Sequence, residues 1–256
     1  MNKKKIIIFF LVILGLVFLI LDFLSYKVNK IVKDLLINKG KDVLCQQIIV
    51  GNIDTSILGS SIKISNIEIR NLEGFKNKNI IQIKNINTDF DLKSVFTNNI
   101  VINSINIEGA NLYYELTLDK KDIKDNVSLL KLCQANDDKK ADDKTQSKSD
   151  QINKKVNKTF VVKQLVLNST LLKVSSEFLD INKDINLNKM SFNNVGNGET
   201  ANKFKDVLKM IFENVLLGIN NEIAQGDLKE KIKNKLKILR TKISADSFKK
   251  LEKTFK

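Results

Sequence analysis

The chain has 256 residues, room for one or two modest domains, and carries 43 Lys and Arg against 29 Asp and Glu, a formal net charge of +14. It contains no histidine, proline or tryptophan. Without histidine the commonest general base and metal ligand is missing, so Ser-His-Asp, Cys-His and His-ligated zinc centres are excluded within this chain. No cofactor and no metal is expected.

The two cysteines, Cys45 and Cys133, are too few for a disulfide framework and lack C-x-x-C spacing. They can pair if the domain lies outside the cytoplasm, or stay as two separate buried thiols. Cys45 is not read as a lipoprotein cysteine, because Asp42-Val43-Leu44 is unlike a lipobox.

At the amino end, Lys3-Lys4-Lys5 precedes Ile6 to Leu21, sixteen residues without a polar side chain. Extended to Leu24, the run makes a helix of roughly 28 Å at about 1.5 Å per residue, close to the thickness of a hydrocarbon core. Asp22 then reaches water at the far interface. No small-x-small cleavage site follows, so residues 1–24 are predicted to be an uncleaved transmembrane anchor rather than a signal peptide. The amino-terminal lysines favour an inside start, while Lys27, Lys30, Lys33, Lys39 and Lys41 count the other way. Long downstream domains override such counts, so the main domain is expected outside the cytoplasm. Leu24, Val28, Ile31, Leu35 and Leu36 continue helical spacing through an amphipathic neck over 25–46, which either touches headgroups or caps a sheet.

From 47 to 133 the period changes to that of strands, with Gly51, Gly59, Gly74 and Gly109 as turns. Apolar residues recur at i, i+2, i+5 and i+7: Ile62, Ile64, Ile67, Ile69; Ile81, Ile83, Ile86 with Thr88; and Ile100, Ile102, Ile105, Ile107. Two further copies are Phe160, Val162, Leu165, Leu167 and Ile185, Leu187, Met190, Phe192. Strict alternation would make an ordinary half-buried strand; the extra residue between the pairs is the mark of a β-bulge, which keeps all four side chains on one face. A short helical turn is expected between Asp91 and Thr97. Residues 134–158 are too polar to form a core and are read as a disordered insertion, after which strands resume over 159–198.

Beyond 199 the period becomes helical. Phe204, Leu208, Ile211, Val215, Ile219 and Ile223 make an amphipathic helix with Thr200 as its cap. Asp227 to Lys256 holds eleven basic against four acidic residues. Lys229, Lys231, Lys233, Lys235, Lys237 and Arg240 are the candidates for contact with anionic headgroups, a solvated basic helix being the plainer reading. The fold class expected is therefore α+β: a transmembrane helix, a curved and mainly antiparallel sheet of bulged repeat strands, and C-terminal amphipathic helices.

Several segments support a family resemblance. Gly59 leads into Ile62-Lys63-Ile64-Ser65-Asn66-Ile67-Glu68-Ile69-Arg70-Asn71, followed by Gly74-Phe75. Asp91-Leu92-Lys93-Ser94-Val95-Phe96 and Ile105-Asn106-Ile107-Glu108-Gly109-Ala110-Asn111-Leu112-Tyr113-Tyr114-Glu115 come next. Ile185-Asn186-Leu187, Asn194-Val195-Gly196 and a helix from Thr200 close the series. This order, behind an anchor and neck helix, resembles the AsmA-like proteins of Gram-negative bacteria, as a short member, with Leu72 standing where the family pattern would have proline. The resemblance covers most of the chain except 134–158 and the basic tail. It implies an inner-membrane, single-pass protein with a periplasmic domain, related to bridge-like lipid-transfer proteins whose β-groove carries lipid.

On that reading the candidate lipid-binding residues are Ile62, Ile64, Ile67, Ile69, Ile81, Ile83, Ile86, Ile100, Ile102, Ile105, Ile107, Val162, Leu165 and Leu167. The expected function is binding of acyl chains on a concave apolar β-surface in support of lipid transport or outer-membrane assembly. The alternative is a closed core in a structural or adaptor subunit. Partners are membrane lipids and other envelope proteins, without nucleic acid or metal. Asp89, Asp91 and Glu115 are the carboxylates nearest the motifs; nothing pairs them with a nucleophile or phosphate loop, so no enzymatic activity is expected.

Overall fold

A computed structural model describes residues 3–119, 122–130, 159–195, 209–211, 213, 230 and 234, with the backbone alone for 3–10, 12 and 13. Helix α1 runs unbroken from Lys3 to Leu44, 42 residues or about 63 Å. It stops at Cys45, whose φ of 53° turns the chain out of the helix while its N–H still reaches the Lys41 carbonyl at 2.8 Å.

The two halves of α1 have different surroundings. Leu14, Leu16, Val17, Phe18, Leu19 and Ile20 are all exposed, around the whole circumference. From Asn29 onward the helix lies on the sheet. Thr55 donates its hydroxyl to Asn29 Oδ1 at 2.6 Å, Val32, Leu36 and Ile37 pack on the core, and Val43 and Leu44 are buried. Gly40 fits here because the Ile48 side chain occupies the space a Cβ would need. Among the described residues no helix is long and apolar enough to cross a membrane. From Leu14 onward the helix carries Asp22, Lys27 and Lys30.

Among the described residues ten strands follow: β1 (Ile48–Val50), β2 (Ile53–Ser56), β3 (Ser61–Arg70), β4 (Asn79–Phe90), β5 (Asn99–Asp119), β6 (Asp122–Asp125), β7 (Thr159–Asn168), β8 (Thr170–Ser176), β9 (Ile181–Leu187) and β10 (Met190–Val195). They form one curved, open sheet in the order β1-β3-β4-β5-β7-β10. β2 continues β1 along β3, β8 continues β7 along β5, and β9 pairs with β8. All pairings are antiparallel except those of β7 and β8 with β5. A 3-10 turn at Ser94–Phe96 joins β4 to β5, and residues 126–130 are helical after the β5–β6 hairpin. The segment 134–158 and most of the region beyond 199 lie outside the described residues.

The extra residue of the repeat behaves differently from an isolated bulge. A β-bulge sets two residues on one strand against one on its neighbour and shifts the register. Here Ser65 pairs with Asn85 and Ile67 with Ile83, so β3 and β4 each skip one residue, Asn66 and Lys84, and the register is unchanged. The line continues to Gly109 of β5, and to Gly51, whose N–H bonds the Asn66 carbonyl at 3.0 Å. Because 2-3-2 spacing reads the same in both directions, antiparallel and parallel neighbours align on it equally well. Asn66 and Gly109 sit on this line with φ of 57° and 63°, and Ser169, at 51°, breaks β7 from β8 beside it. Gly51 is needed because a Cβ there would lie 2.7 Å from the Ser65 carbonyl oxygen. A true register shift does occur at Asp89/Phe90, where β4 lacks the extra residue that β5 carries.

Candidate functional site

The pairings assemble the repeated residues into apolar rows that cross the sheet. One row runs Ile48, Ile69, Ile81, Leu112, Leu172, Ile185. Another runs Ile53, Ile64, Ile86, Ile107, Leu167, Met190. Nearer the β4–β5 turn come Ile62, Thr88, Ile105, Leu165, Phe192, then Phe90, Ile102, Val162, Val195, and finally Ile100 beside Phe160. With the row Val50, Ile67, Ile83, Ala110, all fourteen candidate lipid-binding residues share one face of one sheet.

Burial across that face is uneven. Ile64, Ile67, Ile69, Ile81, Ile105, Ile107, Val162, Leu165 and Leu167 are buried, whereas Ile62, Ile83, Ile86, Ile100 and Ile102 are only half-buried. Ile83 and Ile86 lie on β4, in mid-sheet, flanked on both sides by buried neighbours on β3 and β5. At the end remote from the β4–β5 turn, Leu112, Tyr114, Leu116, Leu172 and Val174 are essentially inaccessible. What lies over the face includes α1 at the β1–β2 edge, the helical residues 126–130 with Val127 and Leu130, and Met210 and Ile211 from the C-terminal region.

Sequence reading stopped each copy at four residues and so missed part of this surface. In β5 the spacing continues past Ile107 to Ala110 and Leu112, and in β7–β8 past Leu167 to Thr170 and Leu172. The signal was present as further 2-3 steps. It was hidden because Ala110 and Thr170 are weakly apolar, and because Ile48, Val50 and Ile53 precede the first full copy.

The opposite face is polar and internally bonded. Ser65 donates to Asn85, Tyr113 to Gln82 and Lys163 to Asn103, at 3.0, 2.7 and 2.9 Å. Lys173 pairs with Asp184 at 2.8 Å, and this hydrogen bond raises the lysine's pKa.

The three carboxylates near the motifs do not converge. Glu115, buried, accepts hydrogen bonds from the Lys76 and Asn77 N–H groups and from Asn77 Nδ2, pinning the loop before β4. Asp89 accepts from Ser104, and Asp91 from the Lys93 N–H, both toward the other end of the sheet. The Tyr114, Thr170 and Ser176 hydroxyls are buried without a hydrogen-bond partner among the described residues. Burial, reinforced by the Asp125 charge, holds the Tyr114 hydroxyl well above the ordinary tyrosine range. Among the described residues no group of acidic or thiol side chains is placed to hold a metal. Cys45 is disulfide-bonded, and the chain offers one other cysteine, Cys133, which lies outside the described residues. Lys229, Lys231, Lys233, Lys235, Lys237 and Arg240 likewise lie outside them.

Comparison of the chain with known protein families, with characterised proteins and with solved structures returns no match.

Proposed function

We propose that this is a membrane-anchored, non-enzymatic envelope protein that holds lipid acyl chains on the apolar face of its sheet and supports lipid transport or outer-membrane assembly. The observation that supports it best is the uneven burial: a continuous apolar face, sealed at one end and half-open along Ile62, Ile83, Ile86, Ile100 and Ile102. Isoleucines in mid-sheet that their own chain covers incompletely offer an acyl chain the area it needs, at about 25 cal/mol per Å² removed from water.

The anchor is the amino-terminal half of α1. A helix exposed and apolar on every side requires an apolar surrounding, and the run from Ile6 to Leu24, broken only by Asp22, is roughly 28 Å long, close to one bilayer crossing. A disulfide at Cys45 fits a domain in an oxidising compartment such as the periplasm. The resemblance to AsmA-like proteins agrees with each of these.

A second reading, an adaptor subunit with a closed core, is favoured by the complete burial of Val162, Leu165, Leu172 and Val174. The two separate on photolabelling of the full chain in vesicles containing phospholipid with a diazirine on its acyl chain. Lipid binding places adducts on β3, β4 and β5 as well as on α1. It also predicts that Ile86→Asp removes the sheet adducts while the circular dichroism of the fold persists. Labelling confined to α1 would establish the closed core. Ile105→Asp serves as the contrast: at that buried site an unpaired carboxylate should cost at least about 4 kcal/mol and unfold the domain.

A further inference from the structure

We infer that the end of the sheet bearing the β2–β3 and β4–β5 turns is a membrane-docking edge, with Leu58 and Phe96 seated in the interfacial region of the bilayer. The inference rests on the reading of α1 as an anchor. Leu58 and Phe96 are the most exposed large apolar residues described, at 75% and 85%. Each stands at the tip of a turn, and the turns are adjacent: the Phe90 N–H, where β4 ends, donates to the Ser60 carbonyl at 3.0 Å.

The direction of α1 says what they face. Its carboxyl end lies against β1, with Gly40 on Ile48, and it passes toward its amino end along β2, where Asn29 meets Thr55. Continued past Asn29, the helix leaves the sheet at the same end as the two turns. Six residues separate Asn29 from Phe23, about 9 Å along the axis. Three residues separate Thr55 from Leu58, a reach of at most about 10 Å. Leu58 is therefore able to reach the level of Phe23, beside Asp22, where the polar part of α1 gives way to its all-apolar stretch.

The polar residues at that level suit an interface. Lys27, Lys30 and Lys93 are exposed, and the Lys27 ammonium lies 4.6 Å from the centre of the Phe23 ring. The remote end is finished differently, with the exposed ion pairs Lys76–Glu177 and Lys124–Asp119. The half-buried Ile62, Ile100, Ile102 and Phe160 belong to the docking end, so the open part of the apolar face abuts the bilayer.

The chain has no tryptophan, so one introduced indole reports on one site. Full-length Leu58→Trp, Phe96→Trp, Ile20→Trp and Leu118→Trp proteins are reconstituted in phosphatidylcholine–phosphatidylglycerol vesicles with bromines placed at shallow or deep acyl positions. We expect Leu58→Trp and Phe96→Trp to show blue-shifted emission and to lose intensity with shallow bromines. Ile20→Trp should lose it with deep ones, and Leu118→Trp, at the remote end, should keep it with both. Quenching of Ile20→Trp without quenching at positions 58 and 96 would overturn the docking edge and leave the anchor standing. An unquenched Ile20→Trp would overturn the anchor reading and the docking edge with it.

Discussion

Tyr114 shows how one side chain couples this fold to pH. Its hydroxyl is buried on the apolar side of β5 with no hydrogen-bond partner among the described residues, and burial together with the Asp125 charge raises its pKa well above the usual value. The folded protein therefore keeps a proton that the unfolded chain releases above about pH 10. The stability tied to this group is complete below that pH and is lost as pH rises toward the folded-state value. Tyr114→Phe removes a desolvated, unpaired hydroxyl and should stabilise the domain by about 1 kcal/mol at neutral pH. It should also flatten the alkaline decline, as urea unfolding at neutral pH and at about pH 11 would show.

Among the elements, the line of skipped residues explains why the repeat exists. One strand with an extra residue forces its neighbour either to shift register or to carry an extra residue too. β3, β4 and β5 take the second course through Asn66, Lys84 and Gly109. Deleting Asn66 should therefore be far worse than a loop deletion. It would turn Ile62 and Ile64 to the polar face, bring Lys63 and Ser65 inward, and break the alignment with Ile86 and Thr88. The penalty is expected to exceed a typical domain stability of roughly 5–15 kcal/mol, so strand circular dichroism should be lost. Asn66→Gly, which accepts the left-handed conformation freely, should fold normally.

For the molecule as a whole, a disulfide stands at Cys45, where α1 gives way to the sheet. Cys45 directly follows the helix, next to the buried Val43 and Leu44, and Cys133 is the sole partner the chain provides. Peptide mapping without reductant should recover a linked Cys45–Cys133 pair. Reduction should lower the stability of the folded domain by about 2–4 kcal/mol, visible as a fall in the melting temperature. Free thiols at both positions in protein from its native host would argue against an oxidising compartment.

The α1 helix, the sheet strands and the shared face of the repeated isoleucines were legible in the sequence, because periods of 3.6 and 2 report local geometry and the burial of one face. So was the extra residue at the i+2 to i+5 step of β3, β4, β5 and β7. Between β3 and β4 it builds a matched line rather than a bulge; in β5, opposite Phe90, it is the register-shifting bulge the spacing suggested. The fifth copy is divided between β9 and β10. Matching between strands is a relation between distant residues, and a single-strand pattern cannot display it. The parallel pairing of β7 with β5, the loop-pinning role of Glu115 and the choice of the neck helix to lie on the sheet were likewise decided only in three dimensions. So was the degree of cover over the apolar face. Ile86 and Ile105 have the same character in the sequence, yet one is half-open and the other sealed. Which of them packing leaves accessible depends on elements far away along the chain, and that is where the tertiary structure, rather than the repeat, determines what the surface can hold.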